Sequence, residues 1–216
     1  MKRIVLVAAA LAVSASAAYA VVGVTNTKHD LSGTGAMTGG GANQKCVYCH
    51  TPHNPQIAVP LWNRTNGSAI TATYNSATMT TVAGGATVSL TSISGFCMSC
   101  HDGVTSMGAI KNKAGATDNA IALTGLTGYN AKNNLGVDLS NDHPVGFNYA
   151  SAQAAETDGG LIAIATVKTS IPNSFFGATA ELMECASCHK VHDNTITPFL
   201  RLNNSGSNLC LACHVK

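Results

Sequence analysis

Charge and aromatic surface are both scarce in this chain. Charged side chains make up 10% of its 216 residues and aromatic ones 5%, with a single tryptophan, so the usual materials of a solvated surface and of a large core are thin. Gly, Ala, Thr, Ser and Asn fill long stretches at residues 65–91 and 111–139. Segments of that kind bury too little apolar area to hold a compact domain alone. Apolar mass from outside the polypeptide is implied. There is also no block of basic residues, which argues against nucleic acid as a partner. No apolar run reaches the roughly 20 residues that a membrane-spanning helix needs.

At the N-terminus, Lys2 and Arg3 precede an apolar run over residues 4–13 and small residues closing on Ala18, Tyr19 and Ala20. A basic start, a short apolar stretch and an A-x-A-like site read as a secretory signal peptide over residues 1–20. Residues 21–216 are then the mature protein, read as one unit with an N-terminal arm over residues 21–45. Lys2 and Arg3 leave with the peptide, so ten basic residues face ten acidic ones and the mature chain is formally neutral.

Export to an oxidising compartment would ordinarily make eight cysteines four disulfides. Their spacing points elsewhere. They fall as Cys46 and Cys49 before His50, Cys97 and Cys100 before His101, Cys185 and Cys188 before His189, and Cys210 and Cys213 before His214. Each group is C-x-x-C-H, the attachment signature of haem c, and none is left over. Two thiols bond the vinyl groups of one porphyrin while the adjacent imidazole binds iron. A zinc site would leave the histidine after each second cysteine unexplained.

The chain holds eight histidines. With His50, His101, His189 and His214 as proximal ligands, His29, His53, His143 and His192 remain. Four irons need four distal ligands, so the supply matches bis-histidine ligation throughout. His53 and His192 each lie three residues after a proximal histidine, a spacing that puts two imidazoles on one helical turn. Two rings from one side cannot serve one iron, so these two are expected to reach haems other than those of their own motifs. Beside His29 and His143 stand Asp30 and Asp142, which either accept the second imidazole N–H or serve turns. Met37, Met79, Met98, Met107 and Met183 show no such placement and are assigned to apolar packing.

The expected fold is mostly irregular coil with short helices and few short strands, wrapped around a stacked chain of four haems. Short helical turns should follow the cysteine motifs, and one or two strands are expected within residues 71–91. Residues 33–43, rich in glycine, form a connector. The C-x-x-C-H-x-x-H pattern at residues 46–53 returns at 185–192, each followed by a plain C-x-x-C-H. Haem propionates bring negative charge to a neutral chain, and Lys111, Lys113, Lys132, Lys168 and Arg201 are either their partners or solvated cations. Arg64, close to Trp62, is open to either role.

The order and spacing of these features resemble the OmcE-type outer-surface tetrahaem cytochromes, which polymerise into extracellular filaments. The resemblance rests on the His29 segment, residues 46–54, Pro60 to Asn63 (PLWN), residues 97–103, residues 142–147 (DHPVGF), residues 185–193 and the closing motif at 210–214. It implies bis-histidine ligation, a continuous haem chain, association with other multihaem cytochromes and electron transfer to extracellular acceptors such as metal oxides. The protein is then secreted to the outer surface and is not an enzyme. A monomeric periplasmic electron shuttle is the alternative, and an enzyme would need an iron with an open position. His29, ahead of the connector, ligates a haem either of its own chain or of the next. The resemblance favours the next, making a head-to-tail contact.

Overall fold

The computed structural model describes residues 23–32, 45–75, 86–112 and 133–216. Residues 1–20, expected to be a signal peptide, the 33–43 connector with Met37, and Met79, Lys113 and Lys132 lie outside the described residues. Most of the chain is coil, as its composition suggests. A 3-10 turn, Lys45–Tyr48, is followed by strand β1 at Ala72–Thr73 and helix α1 at Ile93–His101. Strands β2 (Asp138–Leu139) and β3 (Phe147–Asn148), helices α2 (Tyr149–Ala155) and α3 (Ile164–Ser170) and strand β4 (Leu182–Met183) come next. Helices α4 (Cys185–Cys188) and α5 (Asn208–Leu211) close the order. β1 pairs in parallel with β2, and β3 antiparallel with β4. Each strand is two residues long, so the pairs act as staples and not as a sheet layer.

The helices coincide with the cysteine motifs and do not follow them as expected. α1 carries Cys97 and Cys100, α4 carries Cys185 and Cys188, and α5 carries Cys210. α1 starts where Ser92 Oγ accepts from Gly95 N at 3.2 Å, satisfying an orphan amide of the first turn. Gly95 is required there, since a Cβ would collide with the Ser89 carbonyl.

Apolar packing is divided among three small clusters. Phe147, Tyr149, Val167, Phe175 and Met183 form the main one, Leu31, Tyr48 and Ile110 a second, and Val88, Met98 and Leu139 a third. Met98 and Met183 are buried in packing and Met107 packs against the second cluster, which agrees with their assignment from sequence.

A polar joint ties α1 to α4. Glu184, 3% exposed, accepts from Ser94 N at 3.1 Å, from Ser92 Oγ at 3.4 Å and from Ser94 Oγ. Ser94 Oγ in turn accepts from Cys185 N at 2.9 Å. Hydrogen bonds to a buried charge are each worth roughly 1.5–3 kcal/mol. Glu184→Ala should therefore cost the haem-loaded protein about 3 kcal/mol in guanidinium unfolding followed at the haem absorbance; a loss below about 0.5 kcal/mol would show the joint to be dispensable.

Candidate functional site

Burial governs the cysteines, and none is in a disulfide. It pushes the Cys49 thiol up to about 12 and that of Cys213 up to about 11, and it also raises Cys100 and Cys188. The Cys97 thiol, raised first by its hydrogen bond to Cys185 and then by burial, brings motifs two and three together where α1 meets α4. Cys46 and Cys210 are exposed. Among the described residues no group of three or more His, Cys, Asp or Glu is arranged to hold a metal ion, so the thiols are not gathered as a thiolate cage.

The proximal histidines share a local design. His50 Nδ1 lies 2.8 Å from the Pro60 carbonyl, His189 Nδ1 lies 3.0 Å from that of Pro198, and His101 Nδ1 lies 2.6 Å from that of Asn133. A carbonyl accepts only from N–H, so each contact fixes the tautomer with its proton on Nδ1 and leaves the Nε2 lone pair free for a metal. His143 has the same arrangement, with Nδ1 at 3.0 Å from the Pro144 carbonyl. His214 is set by backbone bonds of its neighbours. Ile162 N donates to Cys213 O and Val215 N to Gly160 O, while the single proton of Tyr149 Oη is shared between Ile162 O and Cys213 O, at 2.8 and 2.9 Å.

Motifs one and three are built alike. After His50 the chain loops out and returns so that Thr51 N donates to Leu61 O and Asn63 N to Cys49 O. After His189, Lys190 N donates to Phe199 O and Arg201 N to Cys188 O. In each case a cis proline, Pro60 or Pro198, presents the carbonyl that holds the proximal ring. Reading the histidines alone misses these prolines. The signal was legible as a proline ten residues after His50 and nine after His189.

Three pairs of imidazoles face each other. Ring centres lie 6.1 Å apart for His29 and His101, 6.0 Å for His50 and His192, and 6.3 Å for His143 and His214. Two metal–nitrogen bonds of about 2 Å, with roughly 1 Å more from each nitrogen to its ring centre, put imidazoles on opposite sides of one metal ion about 6 Å apart. The interplanar angles of 84°, 32° and 71° differ, as rotation about a shared axis permits. A haem iron therefore fits each pair, with Cys97 and Cys100, Cys46 and Cys49, and Cys210 and Cys213 as the respective attachment thiols. His192 faces the proximal histidine of a motif other than its own.

Burial, followed by the charges of His101, His189 and His192, lowers the His29 pKa to about 4. Burial and then His50 lower His192, and burial and then His143 lower His214. Neutral imidazole is the form that binds metal, so these three are held ready at neutral pH.

His29 packs beside His101 and Phe199 of its own chain. Its segment is no free arm: Thr27, Asp30, Leu31 and Ser32 are buried, Lys45 pairs with Asp30 at 3.4 Å, and the His29 ring stacks on Phe199 at 4.6 Å. Its facing partner is His101 of the same chain. Asp30 does not touch the imidazole either. It accepts from Asn26 N and from Ser32 N and Oγ, so the turn role holds, and His29 Nδ1 is buried without a partner. No Asp142 bond to His143 is formed, since His143 Nδ1 meets Pro144 O instead.

The helical-turn argument for His53 and His192 also fails. Pro52 disfavours helix at Thr51, Asn54 takes a positive φ of 47°, and His189 is extended at φ −111°, ψ 140°. His53 is exposed and makes no ring contact with another histidine among the described residues. His189 is exposed as well and likewise has no facing ring. Lys111 Nζ donates to Pro55 O at 3.0 Å and Arg201 Nε to Ala186 O at 2.6 Å, so both serve backbone carbonyls.

Residues 178–216, which hold the third and fourth motifs, match the family described as the doubled CXXCH motif. The match covers only the C-terminal part of the chain and supports covalent attachment of haem c at those two motifs, the arrangement seen in multihaem c-type cytochromes. No curated protein matches the chain.

Proposed function

We propose that the chain is a tetrahaem electron-transfer cytochrome that polymerises outside the cell through a histidine exchanged between subunits. Three haems take both ligands from one chain, as His50 with His192, His101 with His29, and His214 with His143. The fourth, on Cys185, Cys188 and His189, takes His53 of the partner subunit. The observation that carries this reading is the pair left over: His53 exposed with no facing ring, and His189 oriented by Pro198 O but also unfaced. A donor at one place and an acceptor at another make a heterologous contact that repeats unless rotation closes it.

Bound at these positions, haem c supplies a one-electron ferric and ferrous couple. The residues around it hold and orient it. Imidazoles on both sides of an iron would leave no coordination position for a substrate, and carbonyls at Pro60, Pro198 and Asn133 keep the tautomers of His50, His189 and His101 fixed. Passage of electrons to other multihaem cytochromes or to extracellular acceptors such as metal oxides accords with the signal-like N-terminus and with the resemblance to outer-surface cytochromes.

A pyridine haemochrome assay on the secreted protein should return four haems per chain, with only low-spin bis-imidazole signals in electron paramagnetic resonance of the assembled material. Cryo-electron microscopy should show a helical polymer. A His–Met signal, or fewer than four haems, would overturn the ligand assignment. Monodisperse single-chain particles would favour the periplasmic shuttle.

A further inference from the structure

Arg64 is the largest fully buried side chain among the described residues, with 0% exposure. Its guanidinium donates to three backbone carbonyls, Nη1 to Met107 O at 2.8 Å and Nη2 to Ser106 O at 3.1 Å and Ser99 O at 3.2 Å, and also meets the Cys100 side chain. The two ion pairs among the described residues, Lys45 with Asp30 and Lys190 with Asp193, do not include it. Its Nε is buried without a partner, as is Nε1 of Trp62 two residues before. A guanidinium stays charged in proteins, and carrying one into the interior is costly when no carboxylate answers it.

Its position gives that cost a use. Ser99 lies between Cys97 and Cys100, so Arg64 is bonded to the backbone of the second motif itself. From the other side, Trp62 packs edge-on against His50 with ring centres 5.8 Å apart, and Asn63 N donates to Cys49 O. The cation therefore sits between the first and second motifs.

We propose that Arg64 is an electrostatic tuning residue that holds the haems of the first two motifs at a higher reduction potential than those of the last two. This rests on the multihaem reading above. Reduction of a ferric iron by one electron from an external donor adds one negative charge to the site. A fixed cation nearby, in a medium less polarisable than water, favours the reduced state. Asp102, also fully buried, works in the opposite sense at the second motif; its carboxylate accepts from Ser68 N, Val104 N and Thr105 N and Oγ1. At the third motif Arg201 donates Nε to Ala186 O at 2.6 Å, but it is only partly buried, so solvent and salt screen its charge more than that of Arg64.

The test is a spectroelectrochemical titration of the haem-loaded protein, with dithionite as reductant and ferricyanide as oxidant, on Arg64→Met, Arg64→Lys and Asp102→Asn. Each variant is first checked for haem count and low-spin ligation. In Arg64→Met, about half the titration amplitude should move to lower potential by about a tenfold change in the reduction constant, or about 59 mV for a one-electron couple. The shift should persist in 1 M salt, because a buried charge is little screened. Arg64→Lys should retain most of the wild-type position, and Asp102→Asn should shift the second-motif component upward.

An Arg64→Met protein with four low-spin haems and an unmoved titration overturns the proposal. So does an equal shift of all four. If Arg64→Met does not assemble, Asp102→Asn decides, and an unmoved or lowered component overturns it. A wild-type haem count below four is a separate result and strikes the multihaem reading instead.

Discussion

Secreted His53→Ala protein is expected to remain monomeric and to keep four haems, one of them high-spin. The ring is exposed and has no facing histidine among the described residues, so its loss should leave His50, His101 and His214 with the rings they already face. Only the site on His189 loses a ligand. In the proposed assembly that ligand bridges subunits, so the polymer should fail with it. His29→Ala is the control that separates this from any general loss of ligation. His29 faces His101 within the chain at 6.1 Å, so its removal should also give one high-spin haem per subunit, but filaments should still form. Spin state by electron paramagnetic resonance and assembly by negative-stain microscopy read the two effects independently. Filaments from His53→Ala, or monomers from His29→Ala alone, would reverse the assignment.

The second large effect concerns folding. With all eight cysteines changed to alanine, the chain should lose its entire folded stability, a quantity of about 5–15 kcal/mol for an ordinary domain. The reason lies in how little the polypeptide packs against itself. Among the described residues the strands are two residues long, the longest helix has nine residues, and the buried apolar residues are split among three small clusters. Short helices of that size are marginal in water without tertiary support. Circular dichroism should show coil, and amide proton shifts should collapse to a narrow band. Dispersed resonances and a cooperative melt in the cysteine-free chain would mean that the polypeptide alone suffices.

Cysteine spacing, histidine supply and the shortage of core-forming residues were all legible in order along the chain, because covalent attachment is a local event. Two thiols and an imidazole must sit within five residues to engage one porphyrin, and no tertiary contact alters that requirement. The coil-rich fold was legible for a related reason. A composition poor in aromatic and charged residues cannot build regular layers, whatever its arrangement.

Distal pairing was a different matter. The spacing of His53 and His192 suggested two equivalent roles, yet His192 faces His50 and His53 faces nothing. Which ring meets which depends on loops closing over 30 residues and more, as when Asn133 reaches His101 or motif one meets residue 192. His29 looked free because glycine follows it, whereas burial of Asp30 and Leu31 and the Lys45 ion pair hold it against its own chain. Arg64 gave no sign of its position at all. A cation is read from sequence as a surface group, and only the convergence of three carbonyls from the 99–107 segment shows it to be interior. The sequence by itself determined how the cofactor is attached, since those bonds are made between neighbours in the chain; the tertiary structure decided the facing rings, the free ligand and the buried charge, since each of these depends on segments distant in sequence being brought within a few ångströms of one another.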